Sequence, residues 1–244
     1  MRSWPQGYAR HVFDSLDSTL AEAARMVSDL RGPAWIMAEE QTAARGRRGR
    51  AWATPRGNFA GTVVLPMPAD PTQAALRSFV ASLALRDACI EVTGQSDPFA
   101  LKWPNDVLLY GGKLAGILLE TLGAHLVIGI GVNLAHAPDP SEVEAGALRP
   151  VSLAGELGVD VSARDLLDPL AAAFARYEEQ FQVYGFGPIR SAWLAQAARL
   201  GEVVTARTMR DSSEGVFEDV DEAGNLILRT AKGRVAIAAA DVYF

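Results

Sequence analysis

The densest group of chemically useful residues is an arginine–glycine cluster in an otherwise acidic chain. It consists of Arg45, Gly46, Arg47, Arg48, Gly49 and Arg50, with Trp52 shortly after it. Each guanidinium is a planar fork of donors that stays charged at any working pH, and glycine lets backbone amides approach an anion without interference from a Cβ. This combination predicts a loop that holds a phosphate.

An arginine-rich loop can also be a solvated turn or a nucleic-acid patch. Two features favour the phosphate site. The arginines are interleaved with glycine, and apolar stretches at 34–38 and 58–65 enclose the cluster. Because those stretches have the pattern of buried strands, we expect a loop between strands rather than a mobile basic tail.

A second polar group lies further along the chain. Lys102, Asn105 and Asp106 flank a proline, and Lys113 follows a tight turn. Taken alone, Lys102 has the pattern of a surface charge. The sequence contains no G-x-x-x-x-G-K-[ST] phosphate loop, no third glycine of a dinucleotide fingerprint near residue 131, and no paired cysteines or H-E-x-x-H. These absences argue against a P-loop, a Rossmann site and a protein-held zinc ion.

Hydrophobic periodicity predicts the elements that must position these residues. In chain order they are a strand at 11–16, a helix from 17–19 to about 30, strands at 34–38 and 58–65, a helix at 71–92, strands at 99–103, 107–110, 113–120 and 125–134, and helices at 152–157, 162–183 and 188–200. Thr19 and Glu22 form a candidate capping box, and Gly111-Gly112 a candidate hairpin turn. Because hairpins connect the later strands, the sheet is expected to be largely antiparallel.

Beyond Gly201 the pattern changes to short β-type runs separated by turns. The runs lie at 203–206, 215–218, 226–229 and 234–238. They predict a small all-β module with a boundary near residue 198.

Composition limits the class of protein. The chain has 244 residues, 49% of them hydrophobic, and a net charge of −6, enough for one large domain and a small one. The acidic balance argues against a protein that wraps DNA or RNA, which needs a broad basic face. The single cysteine, Cys89, lies in an apolar helical stretch and is expected to be buried and inert. Without a signal-peptide pattern or a long apolar run, a cytoplasmic location is expected.

Four motifs together resemble the biotin–protein ligases. They are Arg45-Gly-Arg-Arg-Gly-Arg-Ala-Trp52, Lys102-Trp-Pro-Asn-Asp-Val107, Lys113-Leu-Ala-Gly-Ile-Leu118 and Gly129-Ile-Gly-Val-Asn133. The resemblance implies an α+β fold, with a mixed, largely antiparallel sheet and flanking helices of the class II synthetase type at 1–197, and a small SH3-like β-barrel at 198–244. It also implies that biotin and MgATP give biotinyl-5′-AMP, from which biotin passes to one lysine of a biotin carboxyl carrier protein of acetyl-CoA carboxylase or a related carboxylase.

The resemblance assigns roles to individual residues. The expected biotin contacts are Ser18, Thr19, Gln41, Arg45, Gly46, Arg47, Lys113 and Gly116. The expected nucleotide contacts are Arg45, Arg50, Trp52, Lys102, Asn105 and Asn133. The expected catalytic residues are Lys113, Arg47, Arg50 and Asp106, and Asp106 is also the candidate Mg²⁺ contact. Positive charges suit this chemistry because a carboxylate must attack an anionic phosphate, and buried ureido groups need polar partners.

Two positions depart from the family pattern. Leu20 stands where asparagine is common, and Ala44 where glycine is usual. The catalytic pattern begins by residue 11, which leaves no room for the winged-helix DNA-binding domain of regulatory members, so a non-regulatory ligase is expected. Biotin, ATP and the carrier protein are the expected partners, with no membrane and no specific DNA. The sequence leaves the oligomeric state open, a homodimer included.

Two alternatives remain open at this stage. A lipoate–protein ligase shares the fold and the acyl-adenylate route, but its pocket has no ureido ring to satisfy. A non-catalytic carrier-domain or nucleic-acid binding module would use the arginine loop as a patch, which leaves Lys113 and Asp106 unexplained. Release of pyrophosphate from ATP when biotin is added separates all three.

We expect no sequence-specific DNA binding, with or without biotin and ATP. Specific readout needs an element that enters a groove and a basic surface around it, whereas the dense basic cluster here forms a phosphate-sized site. Binding through that loop should be weak and steeply salt-dependent. A mobility-shift titration over the upstream region of the biotin operon tests this expectation. A shift that survives physiological salt and non-specific competitor would contradict it.

Overall fold

The computed structural model describes residues 3–46, 49–50, 52, 54–144, 146–208 and 211–244. Its larger sheet has seven strands: β1 (Ala9–Phe13), β2 (Ala34–Ala38), β3 (Phe59–Pro66), β4 (Phe99–Lys102), β5 (Asp106–Leu109), β6 (Gly112–Leu122) and β7 (His125–Val132). Five α-helices are described: α1 (Thr19–Met26), α2 (Arg77–Thr93), α3 (Leu153–Leu157), α4 (Ala163–Tyr184) and α5 (Phe186–Leu194).

The strand order in this sheet is β1-β2-β3-β7-β6-β5-β4. Strands β1 and β2 are parallel, and the other neighbouring pairs among the described strands are antiparallel. The predicted α+β fold with a mixed, largely antiparallel sheet is therefore confirmed. Strand β2 is buried over its whole length, and β3 is buried except at its last residue.

Alternate residues of the central strands enter two separate hydrophobic clusters. Trp35 and Val63 belong to the large core that contains α2 and α4, whereas Ile36 and Val64 pack with Leu20 of α1. Successive side chains of a strand point to opposite faces, so this alternation places α2 and α4 on one face and α1 on the other.

The start of α1 differs from the prediction. Ser18 is the N-cap, because its Oγ accepts a hydrogen bond from the Leu20 amide at 3.2 Å, and Thr19 is the first helical residue. The predicted Thr19–Glu22 capping box is wrong. Glu22 instead pairs with Arg25 at 2.6 Å. The helix also ends at Met26, one turn earlier than predicted.

The β5–β6 turn is displaced by one residue from the predicted Gly111-Gly112. Tyr110 and Gly111 occupy the turn, with φ of 48° and 76°, and Gly112 already pairs with Leu109. Positive φ at both central residues is typical of the type I′ hairpin turn, which matches the twist of the flanking strands. The predicted helix at 71–92 also divides, into a 3₁₀ turn at Pro71–Gln73 and α2.

The C-terminal part is a five-stranded antiparallel sheet, as expected for an all-β module. Its strands are β8 (Val203–Arg207), β9 (Ser212–Val220), β10 (Leu226–Thr230), β11 (Gly233–Ile237) and β12 (Asp241–Tyr243), in the order β11-β10-β9-β8-β12. Sequence reasoning missed β12, which is only three residues long. The division at residue 198 stays a prediction.

Two expectations about buried and apolar segments can be compared with the structure. Cys89 is fully buried in α2, and burial raises the pKa of its thiol to about 12, so the expected inert thiol fits its surroundings. Within the described ranges, no helix combines the length and the apolar character that crossing a bilayer requires.

A buried ion pair joins α2 to α4. Two nitrogens of Arg77 donate to Glu178 Oε1 at 3.0 and 2.8 Å, and the Gln182 side chain donates to the same oxygen at 2.9 Å. The side chains of Arg77 and Glu178 are 6% and 4% exposed. The Arg77 guanidinium also lies 4.7 Å from the centre of the Phe181 ring. The two helices that cover the sheet are therefore joined by an ion pair that is buried away from water.

Glu178→Ala should lower the free energy of unfolding by about 3–5 kcal/mol, because it leaves the Arg77 guanidinium buried without its counter-charge. Glu179→Ala is the matched control. That side chain is exposed at the next position of α4, so its effect should stay within about 0.5 kcal/mol. Urea unfolding of the two variants provides the measurement. If the two variants lost the same free energy of unfolding, the Arg77–Glu178 pair would contribute no more to stability than an exposed glutamate.

Candidate active site

A cavity of about 790 Å³ opens on the face of the large sheet that carries α1. Its walls come from the start of α1, the connection between β2 and β3, strands β5 to β7, the segment 138–150 and strand β12. Every predicted site residue that the structure describes lines this cavity. Arg47 lies outside the described residues, so its predicted role stays a prediction.

A polar network lies at the α1 end. Gln41 Oε1 accepts from the Thr19 amide at 2.7 Å and from Thr19 Oγ1 at 3.1 Å, while Gln41 Nε2 donates to Thr54 Oγ1 at 3.0 Å. Thr62, on β3, donates its hydroxyl to Thr19 Oγ1 at 2.9 Å. Sequence reasoning predicted Thr19 and Gln41 but missed Thr54 and Thr62.

The direction of each hydrogen bond in this network follows from one unambiguous donor. A backbone N–H can only donate, so the Gln41 atom that faces Thr19 is its oxygen. Thr19 must then use its one hydroxyl hydrogen on that oxygen, and it accepts from Thr62. One lone pair of the Thr19 hydroxyl is left to accept a hydrogen bond from a ligand N–H.

Ser18 completes the polar end with the opposite character. Its hydroxyl oxygen accepts from the Leu20 amide, which leaves the hydroxyl hydrogen to donate to a ligand carbonyl. Beside it, hydrogen bonds from Arg25 and from the Ser18 amide lower the pKa of Asp17 to about 2, so this carboxylate is ionised at neutral pH. The helix start therefore presents a donor and an acceptor side by side.

An apolar wall faces the polar one. Leu20 is 7% exposed and belongs to a cluster with Ile36, Val64 and Val127. Its side chain fills the space above Gly129, where an added Cβ would lie 3.0 Å from Leu20 Cγ. The Leu20 side chain therefore packs against β7, and the residue contributes only its backbone amide to the polar network.

Two lysines meet one carboxylate at the centre of the cavity. Lys113 Nζ lies 2.8 Å from Asp106 Oδ1, and Lys102 Nζ lies 3.7 Å from Asp106 Oδ2. The register explains the proximity: Asp106 pairs with Lys102 of β4 and with Gly116 of β6. The Asp106 side chain is 9% exposed and the Lys113 side chain 32%, so the ammonium of Lys113 is the more accessible member of the pair.

Asn105 is buried beside this group. Its side-chain Nδ2 donates to the Ile117 carbonyl at 2.6 Å, and its backbone carbonyl accepts from the Ile117 amide at 3.0 Å. The residue thereby ties the turn before β5 to β6. Its predicted contact with a nucleotide stays a prediction.

Four described residues of the arginine–glycine cluster, Arg45, Gly46, Arg50 and Trp52, line the cavity, and backbone hydrogen bonds join the two ends of the cluster. The Gly46 amide donates to the Arg50 carbonyl at 2.7 Å, and the Trp52 amide donates to the Ala44 carbonyl at 3.1 Å. The indole of Trp52 reaches the centre, where Lys113 Nζ lies 5.7 Å from its ring centroid.

Both described arginines of the cluster pair with carboxylates. Arg45 binds Glu120 through two parallel hydrogen bonds of 2.6 and 2.9 Å, and Arg50 lies 2.6 Å from Glu144 and 3.4 Å from Asp241. Sequence reasoning missed all three acids. Glu120 could have been predicted from the sequence, because it lies four residues after Gly116 on the same strand and therefore points to the same face of the sheet. Glu144 and Asp241 come from distant segments that no local pattern links to the loop.

The far end of the cavity is bordered by the segment 138–150. The Asn133 side chain donates to the Val151 carbonyl at 3.1 Å, and the backbone of Lys113 exchanges hydrogen bonds with Arg149 and Val151 at 2.8 and 3.0 Å. At the other end of the segment, Asn58 holds the chain at His136. Lys113 thus connects the central charges to this border.

Asn58 is a further residue that sequence reasoning missed. Its side-chain oxygen accepts from the amides of Ala135 and His136 at 3.1 and 2.9 Å, and its Nδ2 donates to the His136 carbonyl at 2.8 Å. It is 2% exposed. An asparagine just before a strand suggests a turn, and only the tertiary contact reveals that it anchors a distant segment.

The residues do not form a metal centre of their own. No group of three or more His, Cys, Asp or Glu side chains suited to a metal ion occurs among the residues whose positions are described. Asp106, the candidate Mg²⁺ contact, already lies between two ammonium groups. A divalent cation at this carboxylate would be repelled by both lysines, so the geometry does not favour it.

Comparison with known proteins gives two family matches. The model of the biotin/lipoate A/B protein ligase family matches residues 12–133, and that of the biotin protein ligase C-terminal domain matches residues 200–244. The biotin--[acetyl-CoA-carboxylase] ligase of Paracoccus denitrificans is 54% identical over 233 residues, which cover 93% of this chain and 97% of that protein.

More distant relatives agree. The bifunctional ligase/repressor BirA of Bacillus subtilis is 30% identical, and the match covers 85% of this chain and 65% of that protein. Biotin protein ligase from Aquifex aeolicus in complex with biotin and ATP has the same fold, with a TM-score of 0.84 at 24% identity over 96% of this chain and 97% of that one. The chain therefore belongs to the biotin/lipoate A/B protein ligase family, within its biotin–protein ligase branch.

Proposed function

We propose that the chain is an ATP-dependent ligase that activates biotin as biotinyl-5′-AMP and transfers it to a lysine of a biotin carboxyl carrier protein in the cytoplasm. The observation that carries the proposal is one cavity with a urea-matching polar end and two lysines on one carboxylate at its centre. The name of the Paracoccus relative supports the reaction and the carrier protein.

The polar end suits the ureido ring of biotin. A cyclic urea offers a carbonyl that accepts and two N–H groups that donate. The Ser18 hydroxyl can donate to the carbonyl, and the remaining lone pair of Thr19 can accept from one N–H. A ligand binds less tightly when polar groups buried in its site lack hydrogen-bond partners. A urea can pair with Ser18 and Thr19, whereas a ring without N–H groups cannot, so the match favours a urea.

Lys113 is the counter-charge for the first step. An oxygen of the biotin carboxylate attacks the α-phosphorus of ATP and forms an O–P bond, while the bond from the α-phosphorus to the bridging oxygen breaks and pyrophosphate leaves with that electron pair. Attack by one anion on another is slow unless cations hold both, and the Lys113 ammonium lies at the junction between the urea end and the far end of the cavity. Asp106 aims that ammonium, because it holds Lys113 at 2.8 Å.

The second step uses the same centre. The neutral amine of the carrier lysine attacks the acyl carbon of biotinyl-5′-AMP and forms a C–N bond, the acyl C–O bond breaks so that AMP leaves, and the nitrogen releases one proton to solvent to give the amide. Asp106 can accept a hydrogen bond from the incoming amine, and Lys102 and Lys113 can stabilise the departing phosphate. Both steps then depend on Asp106 and its two lysines. This shared group keeps the reacting atoms in the same place for both reactions.

Arg45 and Arg50 are proposed to exchange partners when nucleotide binds. Each of these guanidiniums is paired with carboxylates in the structure. A phosphate offers the same bidentate geometry with more charge. ATP can therefore draw Arg50 away from Glu144 and Asp241, which would bring the loop and the segment 138–150 onto the nucleotide.

Mg²⁺ is proposed to enter with ATP. It neutralises phosphate charge when bound, and it usually keeps several waters and binds through substrate phosphates rather than a protein cage. We assign none of the protein residues to it, since Asp106 is engaged by lysines.

Lipoate activation is the alternative within the family. A dithiolane ring has no N–H or carbonyl, so it would leave Ser18, Thr19 and Gln41 facing an apolar ligand at a cost in affinity. A thermal-shift comparison of biotin and lipoate, each with MgATP, tests the choice. A larger shift with lipoate would replace the proposed substrate.

Lys113→Ala should abolish most biotinyl-AMP formation. Loss of one charge-assisted contact that strengthens in the transition state is worth roughly 2–4 kcal/mol, or about two to three decades in rate. Lys232→Ala is a matched control, because Lys232 is an exposed lysine in the turn between β10 and β11. Biotin-dependent pyrophosphate release is the measurement. A Lys113→Ala variant that keeps a near wild-type rate would overturn the assignment.

A further inference from the structure

The turn between β9 and β10 of the C-terminal sheet reaches the large sheet at Trp103. The indole Nε1 of Trp103 donates a hydrogen bond to the Gly224 carbonyl at 3.0 Å. Trp103 lies in the large hydrophobic core and is almost fully buried. A buried indole N–H needs a partner, and here a residue 121 positions further along the chain supplies it.

The β9–β10 turn has a well-defined shape. Asp221 Oδ1 accepts from the amides of Ala223 and Asn225 at 2.9 and 2.8 Å, and its Oδ2 accepts from Asn225 Nδ2 at 2.9 Å. Gly224 has a φ of 81°, and an added Cβ would lie 2.8 Å from Leu76 Cδ2 at the start of α2. Position 224 therefore requires glycine, both for its backbone conformation and for its lack of a side chain.

Trp103 lies in the turn between β4 and β5, next to two charged residues of the cavity. Lys102 ends β4, Asp106 begins β5, and the two residues are register partners. Lys102 Nζ lies 3.7 Å from Asp106 Oδ2 and 5.8 Å from the ring centroid of Phe244, which follows β12. The C-terminal sheet thus contacts Lys102 on the cavity side and Trp103 in the core.

The three residues between this charged pair are each held by a different element. Pro104 is held by α2, because the Ser78 hydroxyl donates to its carbonyl at 2.8 Å. Asn105 is held by β6, since its backbone carbonyl accepts from the Ile117 amide at 3.0 Å. Of these three contacts, only that of Trp103 comes from outside the large sheet and its helices.

We propose that Gly224 is a positioning residue for adenylation, which acts through Trp103 to hold the turn that sets Lys102 against Asp106. The inference rests on the proposed function for its consequence, because Lys102 is the predicted nucleotide contact. A shift of the turn moves the Lys102 ammonium relative to the phosphates, whereas the urea-matching end at the start of α1 stays in place. The effect should therefore fall on the KM for MgATP rather than on that for biotin.

Trp103→Phe tests the donor, because phenylalanine keeps an aromatic ring without the N–H. The variant should raise the KM for MgATP in biotin-dependent pyrophosphate release by about three- to tenfold, the range of one buried hydrogen bond, and change the KM for biotin by less than about twofold. Trp193→Phe is the matched control, since its buried Nε1 donates to Ser82 Oγ at 3.1 Å in the same core. A KM for MgATP that rises equally in both variants, or in neither, would overturn the proposal.

Gly224→Ala tests the acceptor, because the new methyl group would strike Leu76 and displace the turn. It should raise the KM for MgATP in the wild-type background and add little in the Trp103→Phe background. Gly201→Ala is the control: Gly201 has a φ of 84° and no atom within 4 Å of an added Cβ, so this variant carries the backbone strain alone. A further rise of the same size in the Trp103→Phe background would show that Gly224 does not act through Trp103.

Hydrogen exchange at the Ile117 amide measures the turn without any ligand, because this amide donates to the Asn105 carbonyl. Exchange there should be about three- to tenfold faster in Gly224→Ala than in Gly201→Ala, since a turn that has lost one contact opens more often. Equal exchange in the two variants would overturn the proposal.

Folding and activity provide the remaining outcomes. If Gly224→Ala does not fold, the comparison of Trp103→Phe with Trp193→Phe at the Ile117 amide decides by the same criterion. If Trp103→Phe does not fold either, the contact serves folding and the proposal is overturned. Biotin-dependent pyrophosphate release by the unmodified protein is measured alongside. Its absence would refute the proposed function, while hydrogen exchange would still decide whether Gly224 holds the turn.

Discussion

The contact of Lys113 with Asp106 is the interaction on which the site depends. The pair lies where the β4–β5 hairpin meets β6, so the carboxylate is set by the register of three strands. The backbone of Lys113 also holds the segment 138–150 through Arg149 and Val151. A shift of Lys113 would therefore move the cation, its carboxylate and the far border of the cavity together. Rigid coupling of this kind is what a reaction between two anions needs, since misplacement of a counter-charge by about 1 Å removes much of its effect.

The acidic balance of the chain has a local counterpart at the loop. A cluster of guanidiniums destabilises itself by mutual repulsion unless anions are near. Glu120, Glu144 and Asp241 supply anions to Arg45 and Arg50. These ion pairs are half-exposed, so each contributes little to stability. That weakness suits a site in which phosphate must replace carboxylate, because a tightly held guanidinium would have to break a costly contact before it could bind its substrate.

Much of the fold followed from the sequence, and so did the grouping of the predicted site residues around one cavity; the failures have physical causes. Strand positions and the all-β C-terminal part were predicted well, because both depend on local alternation and turns. The capping residue and the hairpin turn were each displaced by one position. At α1 the capping residue is determined by tertiary contacts. Thr19 forms hydrogen bonds with Gln41 and Thr62, and Ser18 caps the helix instead. At the hairpin, Tyr110 has a positive φ, whereas the prediction assumed that only glycines would occupy the two turn positions.

Three of the site residues that were missed share one property. Thr62, Asn58 and Asp241 each act on a partner more than 40 residues away in the chain, and no local pattern announces such a contact. The motifs were found because they contain unusual combinations of charge and glycine. What surrounds them, the residues that hold a motif in place, has ordinary composition and becomes visible only in the structure.

The face of β7 shows how one strand divides these tasks. Val127, Gly129 and Gly131 point the same way, and each successive position admits a different neighbour: the α1 cluster, then Leu20, then Trp52. Leu20 fits this series, because its side chain fills the space that Gly129 leaves empty. The polar side chains at this end are those of Ser18, Thr19 and Gln41. Because Gly129 and Gly131 have no side chains, this part of the cavity wall is formed by Leu20 and Trp52, which lie over the strand, and not by the strand itself.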